Sequence, residues 1–166
     1  MLTAGLWRSG SLLGLYTDDW TFLGTYHNFG STGLFDYFQQ HRPVWGLTYQ
    51  LAMPLLGTKA WVWHIYGIFW RTAASLAFYW LMKLLWPQRK NFTIMAGVLF
   101  AIYPVYLLQP LSLVMGQVLM VYAVFILSLV FTILAIQNPK HKIAYTLLAM
   151  LGSLFNITTM EYFLPL

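Results

Sequence analysis

The chain has 166 residues, of which 60% are hydrophobic and only 8% are charged, with a mean hydropathy of +0.65 and a formal net charge of +5. A soluble domain carries about 25% charged residues, so this composition excludes a wholly water-facing surface and predicts an integral membrane protein. Aromatic residues make up 19% of the chain. They suit the membrane–water interfaces, where amphipathic rings lie at the level of the lipid head groups.

The basic residues also exclude some partners. All nine are scattered along the chain and mostly flank apolar runs. Since they form no stripe of the kind that follows a phosphate backbone, nucleic acid is not an expected partner. Cysteine is absent, which excludes disulfides, thiol nucleophiles and Cys-ligated metal sites. The cations are instead expected to orient the chain in a lipid bilayer.

The first 59 residues are predicted to lie outside the hydrocarbon core. Residues 1–16 are too short and interrupted to span a bilayer, which takes about 20 mostly apolar residues, and they lack the order of a secretory signal. Residues 20–40 are polar and aromatic, with a turn at Gly30-Ser31-Thr32-Gly33. Residues 44–57 are an apolar run of about 14, short for a span. We interpret both as membrane-parallel helices, separated near His41-Arg42-Pro43.

The rest of the chain is predicted to form four spanning helices. Each run is close to the roughly 20 residues that cross about 30 Å of hydrocarbon. They cover residues 60–82, 92–110, 117–136 and 143–163. The predicted fold class is therefore all-α, a polytopic transmembrane protein with about four spanning helices and interfacial helices in an extracytoplasmic loop. In an alternative topology, residues 44–57 form a further span and residues 1–43 lie in the cytoplasm.

Two short basic loops predict the orientation. Residues 83–91 and 138–142 contain most of the cations outside the N-terminal region, so the positive-inside rule places both in the cytoplasm. Since each predicted span crosses the membrane once, residues 1–59, with the three Asp residues, are then placed outside the cytoplasm. Because such a segment needs a preceding span for export, we expect the chain to be a fragment of a longer inner-membrane protein with a further transmembrane helix before Met1.

Asp18 and Asp19 are the first candidates for chemistry, as two of only four acidic residues. At a membrane surface an Asp can act as a general base that deprotonates an acceptor hydroxyl or amine. It can also hold Mg²⁺, Mn²⁺ or Ca²⁺ through oxygen ligands. Alternatively, Thr17-Asp18-Asp19 caps an interfacial helix, with carboxylates at the positive end of its dipole. Adjacent carboxylates point in different directions, so a matched acid–base dyad is not expected.

Five further polar residues are predicted to bind substrate: Arg42, His64, Arg71, Gln109 and Glu161. His64 and Arg71 are seven apart and share one helix face. Ionisable residues inside a membrane-spanning helix cost about 2.5–3.5 kcal/mol on insertion scales and usually face a cavity or a partner. The Arg42 guanidinium can pair with a lipid phosphate or an Asp. Gln109 lies in the predicted outer turn and can hydrogen-bond a sugar. Glu161 can line the cavity that binds this sugar. For each residue an internal hydrogen bond, an ion pair or ordinary surface polarity is the alternative.

The order of four short motifs resembles a known family. The motifs are Asp18-Asp19-Trp20, Arg42-Pro43, Trp63-His64 and the run Phe100-Ala101-Ile102-Tyr103-Pro104. In this order and topology they are similar to the C-type-fold integral-membrane glycosyltransferases, which include protein O-mannosyltransferases and the bacterial lipid A aminoarabinose transferase. The resemblance covers about residues 17–161, the early part of a much longer chain in that family.

The resemblance implies a polyprenyl-phosphate-linked sugar as donor and transfer on the extracytoplasmic side. It implies that Asp18 or Asp19 is the catalytic or metal-associated acid, with Mg²⁺ or Mn²⁺ as the possible cation. Two departures stand out: Tyr103 occupies the position before the proline where family members commonly have His, and Arg71 matches no family role. The expected partners are the lipid bilayer, the polyprenyl-linked sugar and other membrane subunits. A non-catalytic membrane subunit or scaffold and a transporter fragment are the alternative functions.

Overall fold

The computed structural model describes residues 15–103 and 112–160 of the chain. Within these ranges the structure is all-helical and contains no strand, which confirms the predicted all-α class. A short 3-10 helix, Pro139–His141, lies between the last two α-helices. In chain order the α-helices are α1 (Asp18–Phe38), α2 (Pro43–Leu56), α3 (Ala60–Leu85), α4 (Lys90–Ile102), α5 (Ser112–Gln137) and α6 (Lys142–Thr159).

The chain divides into two compact units. Unit 1 comprises Met1–Ile68 and Tyr106–Val118, and unit 2 comprises Phe69–Val105 and Leu119–Leu166. Helices α1 and α2 belong to unit 1, whereas α4 and α6 belong to unit 2. Helices α3 and α5 both begin in unit 1 and continue into unit 2.

Helices α1 and α2 form where two membrane-parallel helices were predicted. Gly30 interrupts α1 with φ 72° and ψ −168°, at the predicted turn. Glycine adopts this conformation because it has no Cβ to clash with the backbone. Pro43 begins α2, where its fixed φ suits the first helical turn and its missing N–H costs nothing. Gly57, at φ 69°, ends α2 with its N–H bonded to the Met53 carbonyl at 2.8 Å.

Glycine also sets the distance between α1 and α2. Gly46 on α2 is buried, and a Cβ built there would lie 3.1 Å from the Phe35 Cα and 3.0 Å from the Phe38 Cβ of α1. These contacts are closer than almost any side chain tolerates, and the Phe35 Cα is backbone. The pair of helices therefore depends on the absence of a side chain at position 46.

The first turns of α3 and α5 are packed within unit 1. Trp63 of α3 is fully buried and donates its indole N–H to the Gly57 carbonyl at 2.8 Å. A Cβ on Gly67 would lie 3.7 Å from the Cα of Gly116 on α5. Small residues permit such close approach of two helix backbones, which is typical of helix pairs in membranes.

Unit 2 has an aliphatic core made by α3 and α5. Its fully or nearly buried members are small or branched apolar side chains: Ala74, Ala77, Leu81, Ala123, Ile126 and Val130. The ring of Phe78 stacks on that of Phe100 from α4 at 4.7 Å between centroids. This core contains no charged side chain, so it is held by shape and dispersion contacts alone.

Among the described residues, α5 is the one helix long and apolar enough to cross a membrane, with 26 residues. It begins at Ser112, five residues before the predicted start at 117. Helix α3 is equally long, at 26 residues, but carries His64, Arg71 and Lys83. Four spans therefore remain a prediction.

The predicted span at 92–110 is helical from its start to Ile102, the last residue but one of its described part. Helix α4 has 13 residues and ends at Ile102, where Tyr103 has φ −56° and ψ 125°. A residue before proline avoids the helical region because of the clash with the proline ring, and Pro104 follows. Residues 104–110, and residues 161–163 of the last predicted span, lie outside the described residues.

Candidate functional site

Asp19 is the centre of the polar structure in unit 1. Its side chain is fully buried, near the start of α1. One carboxylate oxygen, Oδ2, accepts the backbone N–H of Ser112 at 2.9 Å, and the other, Oδ1, accepts that of Leu113 at 3.0 Å. Longer contacts come from the Ser112 hydroxyl at 3.3 Å and the Val114 N–H at 3.4 Å. A residue more than 90 positions earlier in the sequence thus caps α5.

The chemistry of a helix end explains this arrangement. The first N–H groups of a helix have no partner within the helix, and their dipoles add up to a partial positive charge. A carboxylate satisfies both the hydrogen-bond donors and the charge, through charge-assisted bonds stronger than neutral ones. The alternative prediction had Thr17-Asp18-Asp19 capping α1, whereas Asp19 instead caps the start of α5. Thr17, the residue before α1, makes no side-chain cap.

Asp18 differs from its neighbour. It is the first residue of α1, and its side chain is exposed. Consecutive helical residues do not share a face, so when Asp19 points inward Asp18 points away. The pair therefore consists of one buried anchor and one solvent-accessible carboxylate. The catalytic and metal-binding roles predicted for both acids remain predictions, but only Asp18 has its oxygens accessible to a ligand.

Tyr49 supports the same helix end. The sequence did not single it out, because the aromatic residues were assigned to the membrane–water interfaces. It is fully buried, and its hydroxyl donates to the Leu113 carbonyl at 3.4 Å. Burial raises the pKa of the Tyr49 phenol well above its usual range, and the negative charge of Asp19 raises that pKa further. The phenol therefore stays protonated and remains a donor.

An aromatic cluster surrounds Tyr49. Its ring stacks on Phe38 at 5.8 Å with an interplanar angle of 9°, and lies 5.1 Å from the ring of Phe22. Trp45 and Trp63 approach it edge-on or tilted, at 5.8 and 6.3 Å. These rings come from α1, α2 and α3, so the cluster joins three helices around the group that contacts α5. Ring pairs of this kind add about 0.5–1.5 kcal/mol each beyond their buried area.

The other predicted site residues divide between the units. Arg42 and His64 are half-buried and belong to unit 1 with the two acids. Arg71 belongs to unit 2, where its guanidinium donates to the Tyr103 carbonyl at 3.5 Å, beyond the end of α4. Gln109 and Glu161 lie outside the described residues. Within the described range, unit 1 therefore holds four of the predicted site residues.

Gln117 is a second polar residue in the interior of unit 1. The predicted span begins at this residue, but Gln117 lies within α5, five residues from the helix start, and is fully buried. Neither atom of its amide makes a hydrogen bond within the described part of the chain. Ser112, a helix-start residue type before an apolar run, was the signal for the earlier start of α5.

No metal site of three or more ligating side chains occurs among the described residues. Asp19 is also a poor metal ligand here, because its oxygens already accept donors at a positive helix end. No protein-family model, curated protein or solved structure matches the chain.

Proposed function

We propose that the chain is part of a polytopic inner-membrane glycosyltransferase that transfers a sugar from a polyprenyl-phosphate donor to an acceptor outside the cytoplasm. The observation that carries the proposal is the exposed carboxylate of Asp18 beside the buried anchor Asp19. Since Asp19 binds the first turn of the membrane-length helix α5, Asp18 is held near the end of that helix. A spanning α5 would place this helix end at the level of the lipid head groups, where the phosphate of a lipid-linked donor lies.

Membrane residence is supported by exposed apolar faces. On α6, Ile143 is 78% exposed and Met150 and Leu151 are each 63% exposed. On α4, Met95 and Ile102 are 63% and 65% exposed. Contiguous apolar surface of this kind marks a face that meets lipid or another protein. Four spans, as the sequence predicts, would place these faces in hydrocarbon.

The distribution of charge supports the proposed orientation. Unit 1 contains Asp18, Asp19 and Asp36, whereas both basic loops, at 83–91 and 138–142, belong to unit 2. The three aspartates and the two basic loops thus belong to different units, as expected for a chain with an outer acidic part and cytoplasmic basic turns.

Asp18 would act as general base in the transfer. The acceptor hydroxyl gives its proton to the Asp18 carboxylate while its oxygen attacks the anomeric carbon of the sugar. The bond between that carbon and the phosphate oxygen breaks, and polyprenyl phosphate leaves with the electron pair. Arg42 and His64 are the proposed phosphate-binding groups of unit 1. In the alternative role that the resemblance implies, Asp18 would instead hold a divalent cation, Mg²⁺ or Mn²⁺, which would stabilise the negative charge of the leaving phosphate.

The test is an acid-by-acid comparison in the full-length protein. Membranes are supplied with polyprenyl-phosphate mannose, glucose or aminoarabinose, and release of polyprenyl phosphate is measured. Asp18→Asn is expected to lower the rate by about 10²–10⁴-fold, the usual contribution of general acid–base catalysis. Asp36→Asn is the matched control, because Asp36 is exposed on the same helix. Full activity of a correctly folded Asp18→Asn variant contradicts the proposal.

The cap formed by Asp19 favours one alternative, a non-catalytic membrane subunit whose acid pair is structural. In that case Asp18→Asn leaves the cellular function of the protein unchanged, while Asp19→Asn reduces it only by lowering the amount of folded protein.

A further inference from the structure

A groove in unit 2 is lined by the last turns of α5, from Thr132 to Ile136, and by one face of α6. Its volume is about 750 Å³. This is within the range of natural ligand pockets, about 300–1,000 Å³. Ile136 lies on the α5 side, and Lys142, Met150, Leu154 and Ile157 lie on the α6 side.

The lining residues of α6 extend along most of that helix, from Lys142 to Ile157. They recur every three or four positions, which places them on one face. From Lys142 to Ile157 that face extends about 22 Å, at a rise of about 1.5 Å per residue. Half of the hydrocarbon core of a bilayer measures about 15 Å. The groove is therefore long enough to follow a lipid chain through one leaflet.

The walls of the groove are apolar and exposed. Ile136 is 78% exposed, Met150 63%, Leu154 59% and Ile157 46%. Hydroxyl groups of Thr132, Thr146 and Ser153 add only small polar patches. A saturated or unsaturated hydrocarbon chain is the ligand whose chemistry matches such walls.

One end of the groove is cationic. Lys142 lines it, and Lys140 lies in the preceding turn, with both side chains exposed. The sequence has no Asp or Glu from residue 37 to residue 160. The described part of unit 2 therefore offers these ammonium groups no carboxylate side chain, and an anionic ligand complements their charge.

We infer that this groove binds an anionic phospholipid, with the phosphate on Lys142 and one acyl chain along Met150, Leu154 and Ile157. The negative head group of such a lipid would meet the cation at one end of the groove. Its apolar tail would then lie along the apolar walls. The positive-inside rule places the turn before α6 at the cytoplasmic leaflet, where anionic lipids concentrate. The inference rests on the membrane location in the proposed function and is independent of sugar transfer.

The experiment uses the whole chain in nanodiscs containing phosphatidylglycerol and phosphatidylcholine. Native mass spectrometry counts the lipids that stay bound, and a titration gives the Kd for phosphatidylglycerol. Lys142→Gln is expected to weaken phosphatidylglycerol binding about fivefold, which corresponds to about 1 kcal/mol for one cation at the membrane surface. Lys90→Gln is the matched control, because Lys90 is an exposed cation in the other basic loop of unit 2.

A second variant tests the position of the acyl chain. Met150→Trp fills the groove without removing charge, and it is also expected to weaken phosphatidylglycerol binding. Equal losses from Lys142→Gln and Lys90→Gln would overturn the inference, because they indicate attraction to surface charge alone. An unchanged affinity of Met150→Trp, or tighter binding of polyprenyl phosphate than of phosphatidylglycerol, would also overturn it. None of these measurements involves sugar transfer, so a failure here is distinct from a failure of the proposed enzyme.

Discussion

The two units differ in how they satisfy buried polar side chains. In unit 1, Asp19 bonds Ser112 and Tyr49 bonds Leu113, partners separated by 93 and 64 positions. In unit 2, buried Ser128 and Asn156 bond carbonyls three and four residues earlier in their own helices. Long-range polar bonds specify which segments meet, whereas local ones only satisfy a group within an already formed helix. Fully buried polar side chains therefore join distant segments in unit 1, whereas the long-range bond described in unit 2, from Arg71 to the Tyr103 carbonyl, comes from a half-buried side chain.

Removal of the Asp19 cap is expected to have the largest effect on stability. Asp19→Ala leaves the first N–H groups of α5 buried without their acceptor, and we expect a loss of about 2–3 kcal/mol in the free energy of unfolding. Chemical unfolding in detergent micelles measures it. Asp18→Ala, next to it but exposed, should change stability by less than about 0.5 kcal/mol. Equal effects of the two substitutions would show that the buried anchor does not organise unit 1.

Disruption of the contact between α1 and α2 is expected to have the second largest effect on stability. Gly46→Ala introduces a Cβ 3.1 Å from the Phe35 Cα, and we expect a destabilisation of about 1–3 kcal/mol because the helix backbones must separate. The matched control is Gly24→Ala on α1, where a Cβ meets nothing within 4 Å. The control should instead stabilise by up to about 1 kcal/mol through helix propensity. A neutral Gly46→Ala variant would contradict the close packing.

Tyr49→Phe is expected to lower the free energy of unfolding by about 1 kcal/mol, the contribution of one buried hydrogen bond. It should also change the response to alkaline pH. Because the folded-state pKa of Tyr49 is raised, the unfolded chain releases this proton first, at a pH above about 10. Stability is then lost with rising pH by up to about 1.4 kcal/mol per unit. Tyr49→Phe should lose stability less steeply in this range, whereas Tyr37→Phe, at an exposed ring, should follow the wild type. Parallel curves for all three proteins would contradict the assignment.

The smallest effect is expected for a buried polar side chain of unit 2. Ser128 is 3% exposed and donates to the Phe125 carbonyl at 2.7 Å. That carbonyl belongs to the same helix, so Ser128→Ala should change the free energy of unfolding by less than about 0.5 kcal/mol. A loss as large as that of Asp19→Ala, measured in the same unfolding experiment, would remove the distinction between the units.

Much of the helical structure follows from the sequence. The apolar run at 44–57 and the Arg42-Pro43 start predicted α2 to within one residue of Pro43–Leu56. The start of α3 at Ala60 was also predicted. Such boundaries depend on local signals, a proline at the first turn and the length of an apolar run. The predicted start of α5 at residue 117 was late, because Ser112 begins that helix.

The site was predicted less completely. The sequence singled out Asp18 and Asp19 because acids are rare in an apolar chain, and it left catalysis and capping open. It could not show that Asp19 caps α5, because the partner lies 93 positions away and no local sequence pattern indicates a contact between such distant residues. Tyr49 carries no signal of its own among eleven tyrosines. Its role follows from being placed beside Leu113.

The sequence by itself determined the helical class and the apolar character, because composition and hydropathy are local properties of the chain. Only the tertiary structure decided that Asp19 is a buried anchor and Asp18 an exposed carboxylate. Two adjacent, chemically identical residues acquire different roles because a helix turns about 100° between them, and only one direction meets the open N–H groups of α5.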